Sequence, residues 1–274
     1  MSNIDLTLKE RMKALQAERD YMLNKDSYIL CHIDGRAFSK MIKKRFKLPF
    51  DDKFMQMMDD TAAYVCENVQ GAKLAYVQSD EISIVITSFK YEGNELLNSS
   101  PFFDYRLCKL QSIIASLATA KFNQLFTLWM INEDSDKSIS QQINEIPLIQ
   151  FDCKCWDVNT YEDMFAWFKF RQNDCIRNSK NQFSQAYCSH KELLNKSSDE
   201  QIEYCYLKTG NDWNTLNGKY KYGRLVYRMT YPEQTINPKT NEPITVIRSR
   251  YSSWEVDKPF TFEEFKSLDL VPVK

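Results

Sequence analysis

Apolar residues open the chain at helical spacing. Ile4, Leu8, Met12, Leu15 and Met22 stand among charged residues, which predicts an amphipathic helix over 4–23. The period then changes. Ser27 to Ile33 is a short apolar run of strand character, closed by Asp34-Gly35-Arg36. After a basic stretch, Phe54, Met58, Ala62 and Val65 recur on one face of a helix expected over 51–69, with Gly71 as its stop. Lys73–Gln78 and Ile82–Thr87 follow as two strands, and only Ser79-Asp80-Glu81 separates them, the signal of a tight hairpin. A polar loop over 90–101 leads to a long helical pattern from Tyr105 to Phe126. A polar stretch, 132–145, precedes a further strand from Pro147 to Cys153. The order strand, helix, strand, strand, helix, strand is the split βαβ, or ferredoxin-like, arrangement. Residues 160–187 and a run near 190–208 read as helices, and Arg224–Tyr231 with Ile244–Trp254 as a long hairpin turning at Asn237-Pro238. The fold class expected is therefore α+β: a palm-like catalytic domain over 1–156, and an extension over 157–274 whose helices and C-terminal β-hairpin pack on it.

Composition removes several functions without naming one. The six glycines are Gly35, Gly71, Gly93, Gly210, Gly218 and Gly223, so neither a G-x-G-x-x-G fingerprint nor a P-loop is present. Any nucleotide is held without a glycine cradle. No apolar stretch reaches 18 residues, which excludes a transmembrane helix. The opening residues resemble neither a signal nor a transit peptide, so a cytoplasmic location is expected, with a mitochondrial one left open. The eight cysteines contain no C-x-x-C pair and read as ordinary thiols, Cys153 and Cys155 included. With 36 Lys+Arg against 37 Asp+Glu, any nucleic-acid contact must come from local basic patches.

Two acidic sites stand at strand ends. In a split βαβ sheet the first and third strands are antiparallel neighbours, so Asp34 and Asp80-Glu81 converge on one edge although 46 residues separate Asp34 from Asp80. Paired carboxylates repel, and a hard divalent cation such as Mg²⁺ resolves the repulsion. Two such ions can clamp the attacking and leaving oxygens of a phosphoryl transfer. Gly35 permits close backbone approach, and its carbonyl is a further candidate ligand. Read singly, each acid is more simply a surface residue; it is their joint placement that points to a metal. Phosphate partners lie nearby in Arg36 and in the dense run Lys40, Lys43, Lys44, Arg45 and Lys47. Arg106 and Lys109 share a helix face near a helix N-terminus, and Ser79 can donate to a phosphate oxygen.

At these residues the chain resembles the tRNA-histidine guanylyltransferase superfamily. The resemblance is carried by Ile33-Asp34-Gly35-Arg36-Ala37-Phe38, by Leu74 to Ser83, by Ala115 to Ala120, by Phe170-Arg-Gln-Asn-Asp174, by Arg177-Asn-Ser179 and by Ser189 to Leu193, and it runs from about residue 10 to about 230. It implies a polymerase-like palm and addition of nucleotides to the 5′ end of tRNA, in the 3′-to-5′ direction. It also implies Asp34, Asp80 and Glu81 as catalytic residues, with Asp34, Asp80 and the Gly35 carbonyl on two Mg²⁺ ions. Arg36, Ala37, Phe38, Lys47, Ser79, Arg106 and Lys109 would hold ATP, GTP or another NTP. Lys43, Lys44, Arg177, Asn178, His190 and Lys191 would meet the RNA. The family carries Arg where this chain has His32, and Lys where it has Leu48.

Two branches of the superfamily differ after the Arg-Asn-Ser motif. Here Ser184 to Ser197 is similar to the guanylyltransferase-like proteins, which repair truncated 5′ ends of tRNA against the opposite strand as template, rather than to enzymes that add the extra guanylate of histidine tRNA. In either branch the resemblance implies that a 5′-monophosphorylated tRNA attacks ATP, that the 3′-hydroxyl of an NTP then attacks the activated 5′ phosphate, and that the enzyme is a homotetramer. Histidine-tRNA guanylylation, a nucleotidyl cyclase sharing the palm and a non-catalytic RNA-binding module remain the alternatives.

Overall fold

Antiparallel pairing organises the chain around one six-stranded sheet. The computed structural model describes residues 7–18, 20–92, 95–133 and 138–273. In chain order its strands are β1 (Tyr28–Gly35), β2 (Ala72–Gln78), β3 (Glu81–Ile86), β4 (Phe89–Glu92), β5 (Glu95–Asn98), β6 (Phe151–Val158), β7 (Arg224–Ile236) and β8 (Pro243–Glu255). The helices are α1 (Leu8–Ala17), α2 (Phe38–Arg45), α3 (Asp52–Asn68), α4 (Leu107–Glu133), α5 (Ile139–Glu145), α6 (Tyr161–Tyr187), α7 (His190–Leu193), α8 (Ser198–Thr209), α9 (Gly218–Tyr222) and α10 (Phe262–Ser267). The large sheet runs β6-β1-β3-β2-β7-β8, with every neighbouring pair antiparallel. Its first four strands, with α3 and α4, are the split βαβ unit that the periodicity predicts.

Alternation along β1 explains why the sheet is covered on both faces. Ile29, Cys31 and Ile33 enter a core shared with α3 and α4, whereas Tyr28 and Leu30 enter a second core beneath α6 and α10. The predicted face of α3, namely Phe54, Met58, Ala62 and Val65, is buried in the first core. Asp51 starts that helix by accepting from the Lys53 and Phe54 amides, and Thr160 starts α6 by accepting from Asp163.

Four local expectations change. The opening helix ends at Ala17, and residues 4–6 lie outside the described residues. The basic stretch after Arg36 is helical, as α2. The polar loop carries the β4–β5 hairpin. The run near 190–208 is two helices, because Asn195 takes a left-handed conformation and Ser197 starts a new capping box with Glu200. The C-terminal hairpin joins the palm edge-on. Leu74, Ala75, Tyr76 and Val77 of β2 pair with Tyr227, Val226, Leu225 and Arg224 of β7, and past Tyr227 the two strands continue as a ribbon. Among the described residues no helix is long and apolar enough to cross a membrane.

Candidate active site

The β1–β3 register brings the acids together. Asp34 lies directly opposite Glu81, and Asp80 occupies the two-residue turn between the paired Gln78 and Glu81. Ser79, at φ 44°, takes the left-handed conformation the turn needs, and its Oγ donates to Asp80 Oδ1 at 2.9 Å. Gly35 packs against this turn: a Cβ there would sit 3.0 Å from Asp80 Cβ and 2.3 Å from the Phe38 ring. Burial, with the charges of Asp34 and Glu81 adding to it, pushes the Asp80 carboxyl up to about 6, against the lowering effect of the Ser79 hydrogen bond.

The third acid is already engaged. Glu81 accepts from Gln78 Nε2 at 2.8 Å and forms an ion pair with Arg171 of α6, which also reaches Asp174 at 3.0 Å. Among the described residues no lysine or arginine lies within ion-pair distance of Asp34 or Asp80. Two part-buried carboxylates without a cationic partner are a donor set suited to a hard divalent cation. No group of three or more His, Cys, Asp or Glu among the described residues could hold one. The rest of such an ion's shell would come from backbone, water and phosphate oxygens, as Mg²⁺ prefers.

Beside Asp80 opens a cavity of about 480 Å³. Of the residues expected to bind nucleotide or RNA, Lys43, Lys47, Ser79 and Asn178 line it. Phe50 and Tyr220 add a stacked aromatic pair to its wall, with centroids 5.0 Å apart, and Gln182 and Gln185 of α6 add amides. Lys44 is exposed on α2 without lining the cavity. Leu48, at the family's lysine position, is 56% exposed. The N-terminus of α2 follows Ala37, in a left-handed conformation, and has no side-chain cap. Arg36 is exposed and donates to Gln150 Oε1 at 3.1 Å.

The other candidates do not line the cavity. Phe38 is a core residue: its ring packs on Phe151, Phe122 and Phe54 with centroids 5.0, 5.3 and 6.1 Å away, so only its backbone can meet a nucleotide. Arg106 and Lys109 stand at the other end of the sheet. Tyr105, just before them, accepts from the Leu23 amide ahead of β1, and Arg106 pairs with Asp20 at 3.3 Å. The carboxylate end touches α4 further along, where Thr119 accepts from the Phe151 amide, about 18 Å down the helix from Leu107. These two cations therefore lie outside the site that a single chain forms around Asp34 and Asp80. His190 and Lys191 are exposed at the start of α7, past the last cavity-lining residue of α6, Ala186. Arg177 is exposed and pairs with Asp174. Sequence reasoning assigned no role to Arg171, although its acid three positions on, Asp174, marks it as an ion-pair residue of α6.

An antiparallel palm with carboxylates at its β1–β3 corner and a basic cavity beside them is the architecture of a nucleotidyltransferase. The family model for Thg1, tRNAHis guanylyltransferase, matches residues 9–159. This chain belongs to the tRNAHis guanylyltransferase family. It is 24% identical to the uncharacterized protein R259 of Acanthamoeba polyphaga mimivirus, over 98% of this chain and 93% of that one. A bacterial Thg1-like protein in complex with ATP superimposes with a TM-score of 0.69 at 28% identity, covering 81% of this chain and 88% of the other. A bacterial Thg1-like protein in complex with GTP gives 0.67 at 27% identity, covering 96% of each chain.

Proposed function

We propose that this chain adds nucleotides to the 5′ end of tRNA in the 3′-to-5′ direction, copying the opposite strand to repair truncated 5′ ends. The observation that carries the reading is the Asp34–Asp80 pair, without a cationic partner among the described residues, beside a cavity lined by Lys43 and Lys47. Asp34, Asp80 and the Gly35 carbonyl would hold Mg²⁺, which supplies Lewis acidity to phosphate and hydroxyl oxygens when bound. Lys43, Lys47 and the first amides of α2 neutralise and orient the triphosphate of ATP, GTP or another NTP. Ser79 holds the Asp80 carboxylate in place. Phe50, Tyr220 and the α6 amides form the wall against which a base lies. No side-chain nucleophile is needed, because the 5′ phosphate and then a 3′-hydroxyl are the attacking groups.

RNA contacts fall to Lys44, Arg177, Asn178, His190 and Lys191, within a division of labour in which residues 1–156 hold the chemistry and 157–274 hold RNA and assemble a homotetramer. The segment Ser184–Ser197 favours repair over histidine-tRNA guanylylation. The test gives the protein a 5′-truncated tRNA and a histidine tRNA lacking its extra guanylate, with labelled NTPs. Templated extension of the truncated tRNA is expected, with loss of extension and retained tRNA binding in Asp34→Asn and Asp80→Asn. Extension by either variant at the wild-type rate overturns the catalytic assignment. Labelling of the histidine tRNA alone overturns the repair reading.

A further inference from the structure

Three thiols with no part in this chemistry meet on the sheet face covered by α4. Cys31 of β1 lies directly opposite Cys155 of β6, and Cys153 stands two residues earlier in β6. Cys155 Sγ is 3.2 Å from Cys31 Sγ and 3.6 Å from Cys153 Sγ. All three are free and buried, and among the described residues no such trio is disposed to hold a metal ion.

Burial among apolar groups ordinarily leaves a thiol inert. Two features set this cluster apart. First, β6 is the edge strand of the sheet, so Cys155 and Cys153 keep 7% and 9% exposure while Cys31 is sealed. Second, Cys155 is the one sulfur in contact with both others, and those contacts, with Cys153 and then Cys31, pull its thiol down, whereas Cys31 is pushed up, chiefly by burial. Of the two edge-strand thiols, Cys155 is therefore the one that faces a resolving thiol, Cys31, directly across the strand pair.

We infer that Cys155 and Cys31 form a reversible disulfide across β6 and β1 when a hydroperoxide reaches the sheet edge. The Cys155 thiolate attacks the terminal peroxide oxygen, the O–O bond breaks, and the leaving oxygen takes a proton, which gives a sulfenic acid. The Cys31 thiol then attacks that sulfur: the S–S bond forms, the S–O bond breaks and water leaves. Two thiols are oxidised and one peroxide is reduced. Directly opposed antiparallel residues have Cα atoms about 4.5–5.5 Å apart. That lies inside the roughly 4.4–6.8 Å span of disulfides, so the strands need not part. Cys153 is the poorer partner, since it lies about 6.6 Å from Cys155 along the same strand with a parallel side chain. The bridge ties the edge strand to β1 three residues before Asp34 and links positions 124 residues apart, which favours the folded state.

The test uses Cys108→Ser, which removes the exposed thiol. The folded variant is treated with hydrogen peroxide, alkylated, weighed intact and digested without reductant. Expected are the loss of two hydrogen atoms, a peptide pair joining Cys31 to Cys155, reversal by dithiothreitol, and a higher melting temperature before reduction than after. Adding Cys153→Ser should preserve the link, and adding Cys155→Ser should abolish it. Oxygen addition without a link, a Cys153–Cys155 link, or a link formed only after denaturation each overturns the inference.

Discussion

Arg171 grips Glu81, the residue directly opposite Asp34 in the β1–β3 register. Its guanidinium is 9% exposed and lies against the rings of Trp167 and Phe170, with its carbon 5.8 and 5.4 Å from their centroids. Three acids thus crowd one corner, and the protein neutralises one of them with its own cation. That leaves Asp34 and Asp80 to act as a pair.

Removing the grip should therefore damage the fold before the chemistry. Arg171→Met leaves Glu81 charged and short of its partner, and breaking a buried pair costs about 3–5 kcal/mol. Urea denaturation should show this loss, and the double variant Arg171→Met, Glu81→Met should recover much of it. A single variant as stable as wild type would show that the pair anchors nothing.

Gly35→Ala tests the packing behind Asp80. The added methyl meets the Phe38 ring and presses toward Asp80 Cβ, an overpacking that costs about 1–3 kcal/mol. It also displaces the acidic turn, and a misplacement of about 1 Å can lower the rate about a hundredfold. Activity should therefore fall much further than the melting temperature. A parallel loss in both would make Gly35 merely structural.

Phe38→Leu tests the reassignment of that residue to the core. Trimming a ring packed among Phe54, Phe122 and Phe151 should lower stability by about 1–3 kcal/mol while the KM for ATP stays at its wild-type value. A raised KM at unchanged stability would return Phe38 to the nucleotide site.

The limits of the sequence reading follow from which contacts are local. Periodicity reported the split βαβ unit because each strand or helix carries its own apolar spacing, as Phe54, Met58, Ala62 and Val65 do. Topology then brought Asp34 to Asp80, since antiparallel neighbours in this fold leave little freedom. Pairing choice is not written in any one segment, so the place of β7 beside β2 was invisible in Arg224–Tyr227. The burial of Phe38 was masked by its place between Arg36 and a lysine run, and its expected nucleotide contact rested on the family resemblance alone. Lys109 lies in the first turn of α4 and Arg106, in extended conformation, just before it, yet spacing alone does not tell which end of the sheet that terminus meets. The grip of Arg171 on Glu81 joins positions 90 apart and exists only once α6 lies across the sheet.

Glu192 provides a pH test away from the site. Lys208, the Ser189 hydroxyl and the Ser189 amide hold its carboxylate down to about 2, in that order of strength. The interaction ties α7 to α8: Glu192 completes the capping box begun by Ser189, and Lys208 lies in the last turn of α8. A folded-state value below the ordinary 4.5 means that the contribution is fully present above that pH and is lost as pH falls toward 2. Glu192→Gln should therefore melt below wild type at neutral pH, keep that gap down to about pH 5, and lose it as wild-type Glu192 takes up its proton. Melting curves of both proteins at half-unit pH steps measure the gap directly. A gap that stays constant into strong acid would mean that the variant loses packing rather than charge.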